Sequence, residues 1–134
     1  MNPDLLFVYG TLRSGHDGPM ARWLAETADH RGTAWARGCL YLVADYPGFV
    51  PGGGGQVRGD IFALSDPAAM LAILDEHEEC SERFPQPHEY RRARLTVERA
   101  DGPIEAWVYV YARDTAGLIA VEGGDFLCGR GDDR

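Results

Sequence analysis

The chain has 134 residues, 45% of them hydrophobic and 25% charged, which fits one compact folded domain and excludes a disordered or fibrous chain. A net charge of −8 repels phosphate backbones and anionic lipid, so neither nucleic acid nor membrane is an expected partner. No apolar run approaches the ~18 residues that cross a bilayer, and no basic segment with a long apolar core follows Met1, so the expected location is the cytoplasm.

In chain order, residues 5–9 are an unbroken apolar and aromatic run closed by Gly10, the pattern of a buried strand entering a sharp turn. Gly18 and Pro19 open a short helix reaching Thr27, with Met20, Trp23, Leu24 and Thr27 on one face. Residues 39–44 and 57–64 read as strands. Between them, Pro51 and the glycines up to Gly55 read as a flexible connection. A phosphate loop would need a Lys-Ser/Thr ending and a following helix, and Gln56-Val57-Arg58 supplies neither.

Ser65 or Asp66 is a good cap for the next helix, with Pro67 in its first turn, and that helix is expected to run to Glu78 or Glu79. A polar, proline-rich loop spans residues 81–88. Residues 91–97 form a strand with Ala93, Leu95 and Val97 on one face, and Asp101-Gly102 marks a hairpin turn. Residues 104–112 are apolar on both faces, as a central, doubly covered strand requires.

Five strands and two helices that do not alternate predict an α+β fold. The expected form is a mixed, strongly curved sheet or small barrel with two flanking helices, in a single domain over 1–128 with a polar tail over 129–134.

Three cysteines with wide spacing, Cys39, Cys80 and Cys128, suggest neither a disulfide framework nor a zinc ribbon, and His77, Cys80 and His88 match no common zinc spacing. No metal is expected.

Three places are candidates for chemistry. Leu71, Leu74 and Glu78 share one helical stripe, and Glu78 alone of the nearby acids continues it, with Asp75, Glu76 and Glu79 assigned to the other side. Burial and the helix C-terminus both disfavour a charged carboxylate, which suits Glu78 to accept and return a proton near neutral pH. A helix-end glutamate in solvent or in an ion pair is the alternative. The turn after Tyr9 can present successive N–H groups to an anion, or be a plain connection. Tyr90, Arg92 and Arg94 share a strand face, where Arg92 can hold a carboxylate in a bidentate contact or pair with one of the protein's own acids.

These residues together resemble the γ-glutamyl cyclotransferase-like (AIG2-like) family, in type its small γ-glutamylamine cyclotransferase-like members. Val8-Tyr9-Gly10-Thr11-Leu12-Arg13 is similar to its YGTLR or YGSL loop. Gly38-Cys39-Leu40-Tyr41 with Tyr46-Pro47-Gly48 resembles its G-x-L-Y and Y-P-G segment, and 57–62 its V-x-G-E-V-Y strand. Leu74-Asp75-Glu76-His77-Glu78 resembles L-D-x-x-E, Tyr90-Arg91-Arg92 resembles Y-x-R, and 107–111 with Gly124-Asp125-Phe126 resembles the closing motifs. The matches keep their order from residue 7 to 126. Glu79 departs from the glycine usual at its position, and the stretch from Glu78 to Tyr90 is longer than in many members.

The resemblance implies a barrel with flanking helices and an enzyme that cyclises a γ-glutamyl amine or peptide to 5-oxoproline without a cofactor. It assigns Glu78 as the acid–base residue. It assigns Tyr9, Gly10, Thr11 and Leu12 to substrate binding, with Tyr90 and Arg92 completing the set. A non-catalytic ligand-binding member of the fold, or removal of a γ-glutamyl protecting group in biosynthesis, are the competing expectations.

Overall fold

A computed structural model describes residues 4–9, 19–43, 47–77, 88 and 90–120. The apolar run at the start forms strand β1 (Leu5–Val8), and the Pro19-led segment forms helix α1 (Pro19–Thr27). Strands β2 (Ala28–Leu42) and β3 (Pro47–Leu64) follow as a long antiparallel pair. Helix α2 (Pro67–His77) leads to the hairpin of β4 (Tyr90–Arg99) and β5 (Gly102–Tyr111), and β6 (Ile119–Ala120) is a two-residue strand.

The sheet runs β3-β1-β5-β4-β2-β6, and β3 also pairs with β2, which closes the first five into a barrel. β1 is antiparallel to β3 and parallel to β5. β5 therefore lies between β1 and β4, the central position its two apolar faces predicted. β6 pairs with β2 at Tyr41 and Leu42.

Alternation sorts the side chains into two clusters. Leu5, Phe7 and Tyr9 point into the barrel with Ala34, Ala36, Leu40, Phe49, Val57, Ile61, Val97, Ala106, Val108 and Val110. Leu6 and Val8 point outward and meet Leu24 of α1, Met70, Leu71 and Leu74 of α2, and Tyr90, Tyr109 and Tyr111. Leu74 is fully buried there, a gain of roughly 1.5–3 kcal/mol for such a side chain. Ala21 and Leu24 of α1 are buried.

The structure corrects three expectations. β2 begins at Ala28, well before residue 39. Its first half offers only Ala34, Ala36 and Gly38 to the barrel, side chains too small to give a strong apolar signal, and it is held as a strand by pairing with β3. The glycine run lies inside β3, where Gly38 faces Pro51 while Arg37 faces Gln56, so the residues between loop out as an irregularity in a continuous pair. Asp75 belongs to the inward side of α2, as described below.

Helix α2 starts as predicted. The Asp66 carbonyl accepts the Met70 N–H at 2.8 Å, and Ser65 Oγ donates to the Thr27 carbonyl at 2.8 Å, tying the end of α1 to the start of α2. The β4–β5 hairpin turns between Arg99 and Gly102, and Gly102 has φ of 124°, a conformation that favours glycine. None of the helices among the described residues is long and apolar enough to cross a membrane.

Candidate active site

Asp75 is four residues after Leu71, hence on the same side of the helix, and it faces the sheet. Its carboxylate receives two hydrogen bonds from Arg92 of β4, Nε to Oδ1 at 3.0 Å and an Nη to Oδ2 at 3.2 Å. It receives a third from the Tyr109 hydroxyl of β5 at 2.7 Å on Oδ1. The ion pair is largely shielded, with side-chain exposures of 29% for Arg92 and 19% for Asp75, so solvent screens it less than a surface pair. The Arg92 guanidinium also lies over the indole of Trp107, 4.7 Å from the ring centroid, with that of Arg94 at 5.1 Å. Trp107 Nε1 is buried and has no hydrogen-bond partner among the described residues.

Arg92 spends its bidentate contact on the protein's own Asp75, which is the ion-pair alternative to holding a ligand carboxylate. Asp75 was the acid that sequence reasoning assigned to the wrong side. The signal that would have found it is its spacing from Leu71.

Tyr9 is buried inside the barrel rather than open to a ligand. Its hydroxyl donates to the Tyr109 carbonyl at 2.6 Å and accepts the Phe49 N–H at 3.2 Å, joining β1 to β5 and β3 at one point. Tyr90 is buried in the outer cluster. It donates its hydroxyl to the Pro47 carbonyl at 2.6 Å and meets Tyr111 edge-on at 5.7 Å. Both tyrosines are fixed parts of the framework from which the neighbouring segments depart.

Gly10, Thr11, Leu12 and Glu78 lie outside the described residues, as do Cys80, Cys128, residues 81–87 and the 129–134 tail. Two described residues that precede them hold opposite ends of one tyrosine, its carbonyl and its hydroxyl. Tyr9, immediately before Gly10, and Asp75, three residues before Glu78, are both bonded to Tyr109. Among the described residues, no group of three or more His, Cys, Asp or Glu is arranged to hold a metal. Asp60 is a buried acid elsewhere on the sheet, opposite Val8 in register and 3.5 Å from His30 Nε2.

Comparison with known proteins assigns this arrangement. Residues 6–128 match the family described as gamma-glutamyl cyclotransferase, AIG2-like. The chain is 34% identical over 122 residues to the gamma-glutamylcyclotransferase family protein YtfP of Escherichia coli K12, covering 91% of this chain and 95% of that one. It is 35% identical over 121 residues to the bovine gamma-glutamylaminecyclotransferase, covering 80% of this chain and 65% of that one. The crystal structure of an AIG2-like protein from Mus musculus superposes with a TM-score of 0.71 at 26% identity, over 91% of this chain and 88% of the mouse chain. The solution structure of E. coli ytfP superposes with a TM-score of 0.66 at 33% identity, over 92% and 96%. Sequence motifs, barrel topology and the match along nearly the whole chain agree, and the protein belongs to the AIG2-like γ-glutamyl cyclotransferase family.

Proposed function

We propose that the protein cyclises γ-glutamyl amines or γ-glutamyl peptides to 5-oxoproline with release of the amine. The observation that carries this reading is the convergence on Tyr109 of two family motifs. One is the segment leading into Tyr9-Gly10-Thr11-Leu12, and the other is the helix carrying Leu74-Asp75-Glu76-His77-Glu78.

The substrate carries its own nucleophile. Its α-amine attacks the γ-carbonyl carbon, a new C–N bond closes the five-membered ring, and the γ-amide C–N bond breaks. Glu78 takes a proton from the α-ammonium and returns one to the departing amine, so one carboxyl group serves both transfers. No water is consumed, and the chemistry calls for no cofactor.

Backbone N–H groups of Gly10, Thr11 and Leu12 hold the α-carboxylate. Tyr9 and Tyr90 anchor the framework from which the binding segments depart, and Arg92 acts through Asp75. Folding the flexible glutamyl chain into attack geometry is the larger part of the enzyme's task.

Incubation with γ-glutamyl amino acids, γ-glutamyl amines and γ-glutamyl-ε-lysine, with 5-oxoproline measured, tests the reading. Release of 5-oxoproline from at least one class is expected. Its absence from all of them, with binding retained, would identify a ligand-binding member instead.

A further inference from the structure

One tyrosine connects two segments far apart in the chain. The Tyr109 carbonyl accepts the Tyr9 hydroxyl, and the Tyr109 hydroxyl donates to Asp75, whose carboxylate is gripped by Arg92. The Tyr109 ring is 5% exposed and packs in the cluster beneath α2, so its hydroxyl is fixed relative to its own carbonyl. A tyrosine has few rotatable bonds, and a packed one is a spacer of set length.

Asp75 lies in the last described turn of α2. The Arg92 fork and the Tyr109 hydroxyl tie that turn to β4 and β5. The Tyr9 hydroxyl ties the end of β1 to the same β5 residue.

We propose that Tyr109, with Asp75 and Arg92, is a positioning residue. It holds the residue that ends β1, Tyr9, and the last described turn of α2, at Asp75, to a single position of β5, and so supports alignment of the bound γ-glutamyl chain with the acid–base carboxylate. This rests on the roles proposed above for residues 10–12 and Glu78. Ring closure within one substrate depends on near-attack geometry, where a displacement of ~1 Å costs on the order of 100-fold. The effect of loosening the tie therefore belongs in turnover rather than in affinity.

Tyr109→Phe removes one oxygen and keeps both the ring and the carbonyl that Tyr9 uses. The expected result is a fall in kcat on the order of 10- to 100-fold with KM nearly unchanged. Asp75→Ala is expected to lower kcat comparably, and the double variant to be no worse than the poorer single one, because both remove the same tie. Arg92→Lys keeps the charge and loses the fork, and is expected to fall between wild type and Asp75→Ala. A purely structural bond would lower the denaturation midpoint and leave kcat of the folded protein untouched.

Wild-type kcat in Tyr109→Phe, a loss confined to KM, or losses that multiply in the double variant would each overturn the proposal. Hydrogen exchange separates this from the functional reading. Whatever the substrate, Tyr109→Phe is expected to speed exchange of the amides of residues 74–77 relative to those of α1. Unchanged protection there overturns the proposal even in an active enzyme. Absence of 5-oxoproline from the wild type, with exchange faster in the variant, overturns the functional reading and with it the catalytic half of the proposal.

Discussion

Gly59 leaves room for Phe7. A Cβ built at residue 59 would stand 2.3 Å from the Val8 carbonyl oxygen and 2.7 Å from Cζ of the Phe7 ring, which is 1% exposed inside the barrel. Neither neighbour can yield, one being backbone and the other a packed ring. Gly59→Ala is expected to lower stability by ~3 kcal/mol, the upper end of the usual overpacking penalty, and the shift in urea midpoint at constant m-value checks it.

Two adjacent positions of α2 give opposite results. Leu74 is fully buried between the helix and the barrel, whereas Ile73 is 46% exposed. Leu74→Ala is expected to cost ~2–5 kcal/mol by leaving a cavity. Ile73→Ala is expected to stay within ~0.5 kcal/mol of wild type. Equilibrium unfolding of the two variants side by side makes the comparison.

Glu78→Gln preserves size and removes proton transfer. Positioned acid–base help is worth ~10²- to 10⁴-fold, or roughly 2.7–5.4 kcal/mol of barrier, and the loss is expected in kcat because the substrate's carboxylate is proposed to be held elsewhere, at residues 10–12. The fold is expected to survive, since an amide costs less to bury than a charge. Glu76→Gln and Glu79→Gln are the controls. Near-full turnover in Glu78→Gln, or a dead Glu79→Gln, would show that the acid–base residue has been misassigned.

The proposed reaction needs a proton carrier and an oriented substrate, with no step that calls for a Lewis acid. Turnover is expected to be unchanged after exhaustive chelation. A loss restored by one particular metal ion would contradict this.

Much of the architecture is legible in the residue pattern because it rests on large side chains. The alternation of Leu5 and Phe7 against Leu6 and Val8, and of Val108 and Val110 against Tyr109 and Tyr111, sorts correctly into the two clusters. The first half of β2 is not legible because its inward positions are Ala34, Ala36 and Gly38, and a strand of small residues is specified by its partner across the sheet. The glycine run hides in the same way, its chain continuing in the strand on both sides of the register shift.

At the site, the bidentate reach of Arg92 was readable, and its partner was not. Asp75 precedes it by 17 residues, and an acid on a helix ordinarily signals solvent. The tyrosine hydroxyls were invisible for a related reason. Their acceptors at Pro47 and Tyr109 are backbone carbonyls, which carry no residue-specific signal.

The parallel seam between β1 and β5 has a consequence for how the molecule is made. Leu6 faces Trp107 across it, and the Tyr9 hydroxyl reaches a carbonyl 100 positions along the chain. A nascent chain emerging in order can form the β2–β3 hairpin and lay β1 against β3 while β5 is still unsynthesised. Leu6 and Val8 then wait with one edge of their strand unpaired, a surface prone to capture by another chain. Such a long-range closure is slow compared with local pairing, so this seam is expected to be among the last to form.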